Sequence, residues 1–403
     1  MLNRVALHWQ ILIGIILGAF IGVFLPSLVP GFSIAGTLFL RALKMIVVPL
    51  IFSSMISGVA SLGGGKSLGR IGGKTLFYFL ITSLLALVTG LALVNWLQPG
   101  VGKEFSLASD QAPNLASTSF LDTLIGIIPD NIIGAMVKGD MLAIIFFSIL
   151  AGIFISKLET SNKAVLTNFF DAFFDLMMKI TLFVIRFAPL GIMGIIAQVV
   201  SEQDNISELM IRLGKFSLVV ILGISIHYIV TLPLFLLLIA RVNPIKHFKA
   251  LISVMLTAFS TASSNATLPL TLKTVEEESG VSNKIASFVL PLGATINMNG
   301  TALYELVVAG FVAQLLGIDL SISQQIILVS TALLASIGTA GIPMASFVTM
   351  AIVFTAVGLP VEYMLIVMPV DRPLDMLRTS LNVFGDTVVT VLVAKSEGEK
   401  LNY

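Results

Sequence analysis

The sequence predicts an all-α polytopic membrane protein with eight transmembrane helices and two re-entrant helical hairpins, and three observations predict it. Charged residues make up only 11% of the 403 residues, against 57% for AVILMFWYC, and mean hydropathy is +1.03. A soluble surface needs about 25% charged residues to wet it, more than twice this share. Apolar segments suited to crossings of ~20 residues recur along the whole chain, leaving little sequence for soluble domains. Two further apolar stretches are broken by runs of Gly, Pro, Ser and Thr, a kind of backbone that lipid does not tolerate.

The first apolar segment, about 10–30, follows a basic Arg4 but has no small-residue cleavage site after Leu25, so it reads as a first membrane helix. Segments near 36–62, 74–98, 141–157, 165–200, 214–240, 285–316 and 361–394 follow, a coarse count of six or more ordinary spans. The two odd stretches lie near 250–272 and 325–358. They contain Ser260-Thr-Ala-Ser-Ser-Asn-Ala-Thr-Leu-Pro269 and Ser336-Ile-Gly-Thr-Ala-Gly-Ile-Pro343. Unpaired amides and carbonyls facing lipid would cost several kcal/mol each, so both stretches are expected to be buried in protein or to line a wet cavity. The plainer alternative is a pair of polar loops between shorter helices.

Lys and Arg stay on the cytoplasmic side. The loop after the second span holds Lys66, Arg70 and Lys74, and the one after 214–240 holds Arg241, Lys246, His247 and Lys249, so both are inside. Between about 98 and 140, Glu104, Asp110, Asp122, Asp130 and Asp140 face only Lys103 and Lys138, which puts that loop outside. The alternation closes only if 250–272 enters and leaves from inside and 325–358 from outside. Two hairpins of opposite topology then flank the 285–316 span, both termini are cytoplasmic, and the halves form an inverted repeat of the kind that meets at a midplane binding site.

Net charge is +1, from 23 Lys+Arg against 22 Asp+Glu, so the basic field that nucleic acid needs is missing. Zero cysteines exclude disulfides, thiolate metal sites and a cysteine nucleophile, and three histidines, His8, His227 and His247, argue against a histidine-built metal site.

Chemistry concentrates in the last span, Asp371-Arg-Pro-Leu-Asp375-Met-Leu-Arg378-Thr379-Ser-Leu-Asn382-Val-Phe-Gly-Asp386. Asp375, Arg378, Thr379, Asn382 and Asp386 fall on one helix face, and ionisable groups inside a membrane usually face an internal pathway. Asp375 and Arg378 alone also suit a buried pair that only locks the helix. In the 285–316 span, Gly293-Ala-Thr-Ile-Asn297-Met-Asn299-Gly300-Thr301 interrupts an apolar helix, and unwinding there would free carbonyl oxygens, hard ligands suited to a small cation. Taken alone, such a kink also serves packing.

Thr261-Ala-Ser-Ser-Asn-Ala-Thr-Leu-Pro269, Asn297-Met-Asn-Gly-Thr301, Gly338-Thr-Ala-Gly-Ile-Pro343 and Asp375 through Asp386 resemble, in order, the four signature segments of the dicarboxylate/amino acid:cation symporters, relatives of the excitatory amino acid transporters and of archaeal aspartate transporters. The resemblance covers essentially the whole chain, including Arg186-Phe-Ala-Pro-Leu-Gly191. It implies a homotrimer in the plasma (inner) membrane and an elevator-type movement. A scaffold would comprise 1–73 and 99–213, and a transport domain 74–98 and 214–403. It implies that Arg378 holds a substrate side-chain carboxylate and Asp375 the ammonium. Asn382 and the amides around Ser263 and Ser264 would take the α-carboxylate, with Thr301, Gly341 and Thr379 also lining the substrate. One sodium site would comprise Asp386 with Gly293, Asn297 and Asn382; a second would use backbone around Thr295, Ser336, Ile337 and Thr339. No other cofactor is implied.

Departures matter as much. For the family's third sodium site Thr82, Ser83 and Asn297 remain, but Phe79 stands for a tyrosine and Asn299 for an aspartate, so the site lacks the charge that offsets a dehydrated cation. Ala262 replaces an arginine of some prokaryotic members, and Met344 stands where glycine or glutamine is more familiar.

The expected function is symport of aspartate or glutamate with sodium, with a proton-coupled glutamate/aspartate or C4-dicarboxylate symporter as the alternative. An intramembrane aspartyl enzyme using Asp375 and Asp386 fails on geometry, since eleven residues of helix separate them by roughly 16 Å. A passive channel fits the hairpins, but a salt-paired Arg-Asp face suits a zwitterion better. An uncharged amino acid would leave Arg378 buried without a partner, and plain succinate would leave Asp375 without an ammonium.

Overall fold

The computed structural model describes residues 7–61, 66–102, 125–201, 206–337 and 346–402, and every regular element among them is helical. The chain begins with α1 (Leu7–Phe24), and a 3₁₀ turn (Pro26–Leu28) leads into α2 (Val29–Ser61). Then come α3 (Lys66–Leu97), the short α4 (Ile132–Lys138), α5 (Met141–Ser156), α6 (Thr160–Ile185), α7 (Ala188–Ser201) and α8 (Ile206–Ile226). The last continues through π-helical turns at His227–Thr231 and Leu236–Ala240, either side of Leu232–Phe235.

Among the described residues four helices, Pro26–Ala60, Arg70–Leu97, Ser207–Ala240 and Val361–Ser396, are long and apolar enough to cross a membrane. Two elements differ from expectation. The predicted 165–200 span is two helices, α6 and α7, bent by 53° at Arg186–Phe187, and counts as a fifth crossing only if the bent pair is taken as one. Lys66, Arg70 and Lys74, expected in a loop, lie on the opening turns of α3. A charged surface on a helix start looks like a loop in a hydropathy profile, because only the apolar part of the helix registers.

The hairpin stretches fold as paired helices. After the short α9 (Pro244–Ala250), α10 (Ile252–Thr261) turns at Ala262 into α11 (Ser264–Glu277), and the two arms pack on each other. Ala262 makes the turn in the left-handed region, φ 48 and ψ 40, and its N–H donates to the Ala258 carbonyl at 2.9 Å. Ser263 then caps α11, its Oγ accepting from the Ala266 N–H at 3.2 Å. The second pair is α14 (Ile322–Ile337) and α15 (Ser346–Ala356), also packed together; its expected tip, including Gly338, Thr339, Gly341 and Met344, lies outside the described residues.

Between them the 285–316 span is broken as expected, into α12 (Asn283–Ile296) and α13 (Asn299–Leu315), with Asn297 and Met298 non-helical. A 3₁₀ turn, Val361–Val367, opens the last helix, α16 (Met368–Ser396).

These helices pack in two groups. In the first, α1, α2, α5, α6 and α7 lie against one another. Gly14, Gly18 and Gly22 present one face of α1 to α7 so closely that a Cβ at Gly14 or Gly22 would lie 2.5 or 2.7 Å from the carbonyl oxygens of Pro189 or Ala197. Small residues at this spacing let helix backbones meet where no hydrophobic force drives them together. In the second group α3, α8 and α10 to α13 lie against α16, which is buried along nearly its whole length from Leu374 to Ala394, while α14 and α15 pack on α13 and α15 also meets α2 and α5 of the first group.

Candidate functional site

The site is built where α16 passes the break between α12 and α13. Breaking a helix leaves amides at the new N-terminus without acceptors, and α16 supplies one. The Gly300 N–H donates to Asn382 Oδ1 at 2.8 Å, while Asn382 Nδ2 donates to Thr301 Oγ1 at 3.1 Å. One turn further along, Asp386 Oδ1 accepts from Asn297 Nδ2 at 2.9 Å. Gly293 is tightly constrained here, because a Cβ on it would lie 2.5 Å from Asp386 Oδ1. Gly293, Asn297, Asn382 and Asp386, spread over two helices in the sequence, therefore meet around one break.

Arg378 lies toward the other end of the face and is 1% exposed. Its Nη2 donates to Asp375 Oδ1 at 2.8 Å and to Ser346 Oγ at 3.3 Å, and sits 3.2 Å from Asp371 Oδ1. The guanidinium also lies over the Tyr304 ring, 3.8 Å from its centroid, a stacking worth about 2 kcal/mol when desolvated. Its Nε and Nη1 find no hydrogen-bond partner among the described residues. Asp375 is not free: its Oδ2 also accepts from Arg372 Nη1 at 3.4 Å. The pair is thus a lock in this structure, as the plainer reading of its spacing allowed, with unspent donors on the arginine.

Ser263, Ser264 and Thr379 are buried. The hydroxyls of Thr82, Thr295 and Ser336 donate to carbonyls of their own helices, those of Tyr78, Leu292 and Leu333. Ile337 ends α14, and Thr339 and Gly341 lie outside the described residues. In the region where the resemblance implies a third cation site, Phe79 is buried, Ser83 Oγ donates to Asn299 Oδ1 at 2.5 Å, and Asn299 Nδ2 lies 3.3 Å from His227 Nε2. The neutral amide is held between a hydroxyl and an imidazole, so hydrogen bonds rather than charge organise this corner.

Sequence reasoning missed several groups. Tyr304 and Glu305, one turn beyond Thr301, are fully buried beside the site; Glu305 Oε1 accepts from Thr349 Oγ1 and its Oε2 is unpartnered among the described residues. A glutamate inside an apolar span was itself a signal. His227 and Ser346 carried none, since only the fold brings them to the site, whereas Arg372 stands three residues before Asp375 and its pairing follows from helical spacing.

The family model described as the sodium:dicarboxylate symporter family matches residues 7–396. The chain is 37% identical to the proton/sodium-glutamate symport protein of Geobacillus stearothermophilus over 99% of this chain and 96% of that one. It is 37% identical to the proton/glutamate-aspartate symporter of Escherichia coli K12, over 98% and 93%. It is equally similar, at 37% over 90% and 72%, to the neutral amino acid transporter B(0) of Bos taurus. Those names differ in coupling ion and in substrate charge, so overall similarity does not choose between them and the side chains must.

Proposed function

Because the chain belongs to the sodium:dicarboxylate symporter family, we propose that it is a secondary active symporter that takes up aspartate or glutamate together with cations, sodium in preference to protons. The family is one of transporters, which sets the intramembrane enzyme aside.

One observation carries the acidic substrate: a fully buried guanidinium whose Nε and Nη1 have no partner among the described residues. Leaving donors of a buried charge unmatched is costly, and a planar fork is best matched by a carboxylate. A neutral side chain would leave them unmatched. Arg378 thus takes the side-chain carboxylate and Asp375 the ammonium. Asn382 and the hairpin amides at Ser263 and Ser264 take the α-carboxylate, and Thr301, Thr379 and Gly341 close round it. Asp386 with Gly293, Asn297 and Asn382 holds one sodium ion, supported by the anionic oxygen lying beside the broken helix. Backbone near Thr295, Ser336, Ile337 and Thr339 holds a second.

Eight crossings and two re-entrant hairpins, in a multi-pass plasma (inner) membrane protein with both termini cytoplasmic, remain the topology that the loop charges favour. The two packing groups support an elevator in which α3, α8 and α10 to α16 move past a scaffold of α1, α2 and α5 to α7, assembled as a homotrimer. Proton coupling is the second reading, favoured by Asp386, a carboxylate able to carry either ion.

Uptake of labelled aspartate into proteoliposomes, with sodium and proton gradients imposed separately, tests both. Uptake driven by inward sodium alone is expected. Uptake driven only by the proton gradient would move Asp386 to a proton carrier, and no uptake of aspartate or glutamate under either gradient would refute the substrate.

A further inference from the structure

Asp375, placed to receive the ammonium of an amino acid, is held by two arginines, one on each oxygen. Arg378 Nη2 takes Oδ1 at 2.8 Å and Arg372 Nη1 takes Oδ2 at 3.4 Å. The two guanidiniums differ in freedom. Arg378 is 1% exposed and stacked on Tyr304, whereas the Arg372 side chain is 32% exposed and sits nearer the start of α16. A long side chain with its head reaching solvent exchanges partners at little cost.

We infer that Arg372 is a specificity-determining residue: its guanidinium substitutes for the substrate ammonium on Asp375, so that the site also accepts four-carbon dicarboxylates that carry no amine. The inference rests on the acidic-substrate reading above and reverses one expectation from sequence, that succinate would strand Asp375 without a cation. When an amino acid binds, its ammonium displaces Arg372 from Oδ2 and the guanidinium turns to solvent. When succinate binds, Arg372 stays and the carboxylate remains paired. In either case a cation faces Asp375, while Arg378 offers its remaining donors to the distal carboxylate common to both ligands.

The test is competition against labelled aspartate uptake in proteoliposomes, with unlabelled succinate and unlabelled aspartate titrated in parallel on the parent, Arg372→Gln and Arg372→Lys. Succinate is expected to compete in the parent. Arg372→Gln is expected to raise the succinate-to-aspartate ratio of inhibition constants about fivefold, the upper range for a partly exposed ion pair. Arg372→Lys, which keeps the charge, is expected to bring the ratio back toward the parent value. A residue that merely braces α16 would shift both constants together, and an unchanged ratio in Arg372→Gln therefore overturns the inference. So does a parent that succinate does not inhibit although it takes up aspartate. Failure of the parent to take up aspartate or glutamate at all would instead overturn the substrate reading and this inference with it.

Discussion

Arg378 spends only Nη2 on Asp371, Asp375 and Ser346, so under the proposed function its value lies in the donors left over. Arg378→Thr should cost acidic amino acids about 2–5 kcal/mol of binding, the range for losing a desolvated charge partner, and should leave neutral amino acids as the better ligands. Isothermal titration with aspartate and serine reads this directly, and aspartate binding equal to the parent would refute the assignment. Gly293→Ala makes the complementary test for the cation. Its new Cβ falls 2.5 Å from where Asp386 Oδ1 now lies, and the carboxylate must shift, so the sodium concentration giving half-maximal aspartate binding should rise several-fold. The face holding Arg378 and Asp386 was legible because 3.6-residue periodicity survives in a single helix. Among the neighbours of Asn299, Ser83, 216 residues away, was placed near it only by the family resemblance, and His227, 72 residues away, was not placed at all, since no spacing rule links them. Knowing them sharpens one expectation. With an amide held between Ser83 and His227 in place of a carboxylate, the third cation has no anionic ligand there. The logarithmic slope of aspartate affinity against sodium should therefore stay near two by linkage, and a slope near three would refute this.

Both hairpins could be anticipated as elements because small polar runs inside apolar arms have nowhere else to go in a membrane. What clasps the end of α16 to its neighbours was not legible. The Glu397 carboxylate, just past α16, accepts from Lys74 Nζ at 2.6 Å and Arg70 Nη2 at 2.5 Å, and Ser282 N–H donates to Glu399 Oε2 at 3.0 Å. The carboxylate and its cations lie over 320 residues apart, so the lysine and arginine on α3 carried only their loop-like charge in the sequence. Hydrogen bonds from Lys74 and then Arg70 hold the Glu397 carboxyl below its ordinary value. A lowered folded-state value means that the clasp stabilises the protein fully above the ordinary value of 4.5 and loses that stabilisation as pH falls below it. Melting temperature in detergent should consequently fall more steeply below that pH for the parent than for Glu397→Gln, while the variant should start slightly lower at neutral pH. Parallel curves would show that the clasp contributes nothing. At the first hairpin tip, Ala262 occupies a left-handed conformation that costs a non-glycine residue about 1–2 kcal/mol. Ala262→Val, branched at Cβ, should add to that cost and lower the melting temperature.

At the scale of the whole molecule an informative contact is an ion pair that joins the two packing groups. Lys44 Nζ on α2 donates to Glu362 Oε1, in the 3₁₀ turn leading into α16, at 2.8 Å. Both side chains are about half exposed, so the pair adds little stability by itself; its position is what counts. Lys44 lies fifteen residues after the first residue of α2, roughly 22 Å along that helix, near the middle of its length. Glu362 follows the second hairpin, whose base the loop charges put on the outer side. On the proposed topology and elevator, an outer turn of the moving group paired with the middle of a scaffold helix would place that group toward the cytoplasm. An elevator must break this pair to load substrate from outside. Joining Lys44→Cys to Glu362→Cys with a short crosslinker should therefore abolish uptake, and substrate should remain bound only from the cytoplasmic side in inside-out vesicles. Ser57 and Asp171 are bonded at 2.5 Å within the first group, and the corresponding cysteine pair supplies the control: crosslinking inside the proposed scaffold should leave uptake near the uncrosslinked rate. Full uptake by the Lys44–Glu362 crosslinked protein would refute relative movement of the two groups, because no displacement of one past the other preserves that contact.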